Sequence, residues 1–103
     1  MALIMTTSKW PLSASDEVGK VFLDVWSKQQ PDYVKRREVF ITAGGEDGLK
    51  SYLVMEYEDE HLNDGLIRLS EDMATYRTIP GFTYCFETLM GPEAAVAILG
   101  LKL

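Results

Sequence analysis

The stretch VKRREVFITAGGEDGLKSYLVMEYED, residues 34–59, decides the fold. Its centre, Gly44-Gly45-Glu46-Asp47-Gly48, reads as a turn, because glycine supplies the positive φ angles that tight hairpin connections require. The arms on either side, about 34–43 and 49–59, read as two antiparallel strands. In the second arm Leu53, Met55 and Tyr57 alternate with Tyr52, Val54 and Glu56, so both faces are largely apolar. A strand wetted on one side alternates more cleanly than this, and the sheet is expected to be covered on both faces. The turn lacks the GK[ST] of a phosphate-binding loop and does not lead into a helix.

Each side of the hairpin carries a helix and then a strand. Toward the N-terminus, Val18, Val21, Phe22, Val25 and Trp26 recur at the spacing that places them on one helical face. Ser13 and Ser15 are the expected caps, with Asp16 and Glu17 in the first turn, where the helix dipole favours negative charge. Pro31 ends the helix, since the residue before a proline avoids helical geometry. Ahead of it, ALIMTTSKW (2–10) is a strand stopped by Pro11. Toward the C-terminus, Asp59 is the expected cap of a second helix whose stripe is Leu62, Leu66, Leu69, Met73 and Tyr76. Gly65 lies off that stripe and weakens the helix by about 1 kcal/mol relative to alanine. The last strand spans about 82–90, with Phe82, Tyr84 and Phe86 on one face and Thr83, Cys85 and Glu87 on the other. Gly91-Pro92 then opens a short helix, Ala94 to Leu99, apolar all round and capped by Gly100. Such a helix must be buried against something. The expected core is Val18, Phe22, Val25, Trp26, Leu62, Leu66, Leu69 and Met73.

The chain has 103 residues, 47% hydrophobic and 25% charged, with a formal net charge of -6. That suits one soluble domain over residues 1–103. An acidic chain repels phosphate backbones, so no nucleic-acid partner is expected. Its one basic cluster, Lys35-Arg36-Arg37, reads as a solvated strand start. A single cysteine, Cys85, forms no internal disulfide and suits the reducing cytoplasm. The opening Met1-Ala2-Leu3-Ile4-Met5 is too short for a secretion signal, and no apolar run is long enough to span a bilayer. The protein is expected to be cytoplasmic, with no membrane partner.

The order β-α-β-β-α-β is the ferredoxin-like split βαβ arrangement, an α+β fold with a four-stranded antiparallel sheet and both helices on one face. With its two-sided sheet and the lead-in Ile79-Pro80-Gly81-Phe82 to the last strand, the chain resembles the dimeric α/β-barrel superfamily. The resemblance implies a homodimer in which two open sheet faces pack together. If that face is the interface, Tyr84, Phe86 or Tyr52 replaced by Asp should give monomers or insoluble protein. The superfamily includes quinol-type monooxygenases, haem-degrading enzymes, and chlorite dismutase-like and muconolactone isomerase-like proteins. The haem-degrading branch uses an Asn on the first strand, a Trp, and a His for the iron. Here that strand carries Thr6, Thr7 and Ser8 and no Asn, so no haem or other cofactor is expected.

No nucleophile, metal-ligand set or phosphate loop defines a reaction. The weak catalytic candidates are His61, because histidine is the commonest general acid and base, and Glu56, a carboxylate in an apolar strand; Glu87 has a similar setting. Each has a plainer role, as an exposed turn residue or a sheet-edge carboxylate. Cys85, between Tyr84 and Phe86, reads as a small core residue. No metal site is expected, with one His and no recognised ligand spacing. Trp10, Tyr52, Tyr84 and Phe86 are the candidate lining of an apolar pocket with polar tips, although packing is the commoner use of such residues. Three functions remain open: a binder of a small apolar or aromatic molecule between sheet and helices, a cofactor-independent monooxygenase or isomerase, and a non-catalytic assembly module. An open cavity with converging polar groups favours the first two, and a filled one the third.

Overall fold

The computed structural model describes residues 1–45 and 48–103, so the expected turn tip, Glu46-Asp47, lies outside the described residues. The chain runs β1 (Ala2–Trp10), α1 (Ser15–Trp26), β2 (Val34–Gly45), β3 (Gly48–Tyr57), α2 (Leu62–Ala74), β4 (Thr83–Leu89) and α3 (Pro92–Ile98). Single 3-10 turns at Leu12–Ala14 and Asp59–His61 precede α1 and α2. The sheet order is β2-β3-β1-β4, with β1 antiparallel to β3 and β4, and β2 antiparallel to β3. This α+β arrangement is consistent with the ferredoxin-like fold.

Residues directly opposite in an antiparallel pair share a face, so the register sorts every side chain. Ile4, Thr6, Ser8 and Trp10 share one face with Met55, Leu53, Ser51 and Leu49, with Arg37, Val39 and Ile41, and with Phe86 and Tyr84. The helices lie on this face. The buried core joins Ile4, Trp10, Met55 and Tyr57 of the sheet to Val18 of α1 and to Leu69 and Met73 of α2, with Ala14, Tyr76 and Ile79 from the connections. The opposite face carries Leu3, Met5, Thr7 and Lys9, flanked by Glu56, Val54, Tyr52 and Lys50, by Arg36, Glu38 and Phe40, and by Leu89, Glu87 and Cys85. In the single chain it is bare. The expectation that both faces are covered therefore holds for one face only.

Several local expectations need correction. Neither Ser13 nor Ser15 caps α1: the chain makes a 3-10 turn after Pro11, and Ala14 N–H bonds to Pro11 O at 2.9 Å. No side-chain cap closes α2 either, because a 3-10 turn occupies the place expected for Asp59. Of the expected core, Val18, Leu69 and Met73 are buried, while Phe22, Val25, Trp26, Leu62 and Leu66 are half-buried. Gly65 is not idle. It is buried, and a Cβ there would lie 2.6 Å from Tyr57 Cε1. Cys85 is exposed, because it sits on the bare face of an edge strand.

The lead-in to β4 is a tight turn: Phe82 N–H bonds to Ile79 O at 3.2 Å, and Gly81 has φ +81°. That is a type II turn, with proline in the second position and glycine where a positive φ is demanded. α3 ends in a Schellman motif, with Leu101 N–H to Val96 O at 3.1 Å and Gly100 N–H to Ala97 O at 3.0 Å. All of α3 except Val96 is exposed, and so are Leu99, Leu101 and Leu103 beyond it. The radius of gyration is 15.4 Å, above the ~13 Å of a compact chain of this length; the largely exposed apolar arm is part of the reason.

Candidate functional site: a cavity between sheet and helices

Between the helix face of the sheet and the two long helices lies an apolar cavity of about 250 Å³. Its floor is the run of even residues on β1 (Thr6, Ser8 and Trp10) with Leu49, Ser51, Leu53 and Met55 of β3 and Val39 and Ile41 of β2. Its roof is Val18, Phe22 and Val25 of α1 and Leu69 and Met73 of α2. Small residues keep it open. Thr6, Ser8 and Ser51 are short where a core would carry leucine, and Gly19 contributes no side chain. A Cβ at Gly19 would meet nothing within 4 Å. Ile41, exposed on the β2 edge, also lines it.

Two polar assemblies hold the walls. Arg37 reaches across from β2 and donates to Trp26 O at 3.0 Å and Val25 O at 3.3 Å, carbonyls of the last turn of α1, of which Val25 O also accepts from Lys28 N–H at 3.3 Å. Its guanidinium lies 3.7 Å from the centroid of the Trp26 ring, a cation–π contact, and Trp26 stacks on Phe22 at 5.3 Å. Burial, the main influence, lowers the Arg37 pKa. On the α2 side, Asp72 pairs with Lys28 at 3.3 Å. Beside it Tyr76 stacks on Phe82 at 4.5 Å, and Phe82 on Trp10 at 6.0 Å. Burial pushes the Tyr76 phenol up to about 12, and that of Tyr57 to the same range.

Within this apolar lining are polar atoms with nothing to bond. Thr6 Oγ1, Trp10 Nε1 and Ser15 Oγ are shut away from solvent and have no hydrogen-bond partner among the described residues. All three belong to side chains that line the cavity. Most buried polar groups are paired; these three atoms are closed off from the cavity as well as from bulk water, so their residues line it with other atoms.

The residues singled out from the sequence fall in different places. Trp10 lines the cavity. Tyr84 and Phe86 share its face of the sheet but continue the aromatic ladder along β4, with centroid spacings of 6.5 Å from Phe82 to Tyr84 and 5.4 Å from Tyr84 to Phe86. They are therefore not open-face residues, and substituting them does not probe that face. Tyr52 lies on the open face. So do Glu56, opposite Leu3 and Arg36, and Glu87, opposite Met5. His61 sits before α2, its ring stacked on Tyr33 at 4.6 Å and its Nδ1 3.0 Å from Asp64. Its donor atom comes within 4.8 Å of those of Glu58 and Glu60. Lys35, 3.0 Å from Glu58, holds that carboxyl below the usual carboxylate range. None of these six acidic and imidazole groups lines the cavity.

The sequence reading missed Thr6, Ser8, Ser15, Arg37 and Asp72. Thr6 and Ser8 were in principle legible, since alternation from Trp10 puts them on its face. Arg37 was hidden inside a basic cluster that looked solvated. No helix among the described residues is long and apolar enough to cross a membrane. Compared with models of known protein families and with curated proteins, the chain matches none.

Proposed function

We propose that the protein is a homodimeric α/β-barrel protein of the cytoplasm that binds a small apolar or aromatic molecule in the cavity of each subunit. The apolar cavity of about 250 Å³ carries this reading. A close-packed domain has few voids larger than a water molecule, and an apolar void of ~150 Å³ already accepts benzene. The small residues on its floor and Gly19 on its roof hold space that ordinary core residues would fill.

Two features support the dimer. The open face presents Leu3, Met5, Val54, Tyr52 and Phe40 in one patch, and such patches mark interfaces. Glu56, Glu38 and Glu87 lie toward one end of its strands, with Arg36 among them and paired to Glu38 at 3.0 Å, and Lys9 and Lys50 lie toward the other, so the two ends differ in net charge. A twofold axis that inverts strand direction brings opposite charges together, and one surface then serves both subunits. The exposed arm from Met90 to Leu103 is a second apolar surface in need of cover.

Calorimetric titration with naphthalene tests the binding. Wild type should bind it. Gly19→Leu, whose side chain would project into open space, should fold normally and lose most of that affinity. Equal binding by both proteins would remove the cavity as the site.

A further inference from the structure

The two long helices that roof the cavity are held in different ways. α2 is packed, with Gly65, Leu69, Asp72 and Met73 buried along it. α1 buries only Val18 of its twelve residues. The rest of its apolar stripe, Val21, Phe22, Val25 and Trp26, is half-buried, because much of what lies beneath it is the void.

Polar ties gather at the C-terminal end of α1. Arg37 of β2 donates to Trp26 O and Val25 O and lies over the Trp26 ring. Arg68 of α2 donates to Gln29 O at 2.8 Å, and Lys28 pairs with Asp72 at 3.3 Å. At its other end α1 is joined to β1 through Pro11 and the 3-10 turn Leu12–Ala14, with Ala14 buried. Between these two ends the helix bridges the cavity. Among the ties Arg37 has the most favourable geometry. Its fork engages two carbonyls at once and its plane stacks on an indole, a combination that lysine does not reproduce. Lys28 is half exposed, and a pair so open to water adds little.

An element with little buried apolar surface opens locally at a fraction of the cost of global unfolding. Here that element is also the cavity wall. We propose that α1 is a lid over the cavity and Arg37 its latch: the C-terminal end of the helix lifts from the sheet about the turn at Leu12–Ala14 to admit or release the guest. The role in guest exchange rests on the cavity being a binding site; the motion itself can be read without a guest.

Two signatures follow. A helix of this length is marginal once detached, so opening exposes its amides to exchange. Opening also precedes both entry and exit of the guest. Loosening the latch therefore speeds the two alike and leaves the affinity in place while the closed form still predominates.

Amide hydrogen exchange of the empty protein tests the motion. In wild type, amides 19–26 of α1 should exchange at least about tenfold faster than amides 66–74 of α2. Arg37→Lys should speed exchange in α1 about tenfold further, the scale of one lost hydrogen bond, and leave α2 unchanged. Exchange of both helices together in wild type overturns the lid, and this comparison needs no variant to fold. An Arg37→Lys effect that is absent, or equal in both helices, overturns the latch. Stopped-flow mixing with naphthalene tests the role in guest exchange. In Arg37→Lys the association and dissociation rates should both rise about tenfold, with the dissociation constant changed less than about twofold. A weaker affinity at an unchanged association rate would make Arg37 a wall contact and overturn the latch. If naphthalene binds neither protein, the proposed function falls, and amide exchange alone decides the lid.

Discussion

At the scale of single residues, two helical glycines have opposite meanings. Gly65 is pressed against the ring of Tyr57, which is 2% exposed and has no room to move. Gly65→Ala should therefore lower stability by roughly 1–2 kcal/mol in chemical denaturation, overpacking outweighing the gain in helix propensity. Gly19→Ala meets no neighbour and should raise stability by about 1 kcal/mol; a loss at Gly19 or a gain at Gly65 would contradict these contacts. In the sequence Gly19 and Gly65 look alike, each inside a helical stretch and off its apolar stripe. What separates them is the tertiary neighbour, and no local pattern encodes that. Tyr57 and Tyr76 have phenols raised to about 12 by burial. A raised pKa means the neutral form is favoured by folding, so the associated stability is complete below the ordinary value near 10. It is lost as the pH climbs from there through 12, by up to roughly 2–3 kcal/mol per tyrosine. Absorbance at the phenolate band, followed together with circular dichroism, should show two of the five tyrosines ionising late and with the loss of structure. Ionisation of all five before any structural change would refute it.

At the scale of elements, the C-terminal arm is the least settled piece in a single subunit. A seven-residue helix is far below the length that is stable alone in water, yet α3 is exposed on nearly every side. Removing residues 90–103 should leave the melting temperature of dilute, monomeric protein almost unchanged and weaken self-association at micromolar concentration. A large loss of monomer stability would mean that the arm packs on its own subunit. The elements themselves were largely readable. Period-two and helical stripes are local signals, and all four strands and three helices stand within a few residues of where those signals place them. The caps were not readable, because 3-10 turns provide the helix starts in place of Ser13, Ser15 and Asp59. Nor was the gap under α1. The stripe Phe22, Val25 and Trp26 has the spacing of a filled core, and only the short residues opposite, Thr6, Ser8 and Ser51, leave it half-buried over a void. Leu69→Ala should accordingly cost roughly 2–5 kcal/mol, and Phe22→Ala clearly less, in the same denaturation assay; equal losses would place Phe22 in the closed core.

At the scale of the molecule, the bare sheet face is the interface of the proposed dimer. Phe40 is 58% exposed on that face and supports little within the subunit. Phe40→Asp should leave each subunit folded and convert a dimeric mass to a monomeric one in light scattering, since desolvating a carboxylate inside an interface is costly. A wild type that is monomeric at micromolar concentration would end the dimer reading. The strand order also bears on how the chain reaches this state. β1 is made first yet lies between β3 and β4, with Leu3 opposite both Glu56 and Leu89. Only β2 and β3 are joined by a short local connection, so only their pairing forms at small entropic cost. On a ribosome, β1 waits with both edges unpaired until β3 emerges, and with one edge open until β4 follows. Folding should be nucleated at the hairpin and be limited by recruitment of β1. Destabilising substitutions at Val39 or Leu53 should then slow refolding, and those in β4 should mainly quicken unfolding.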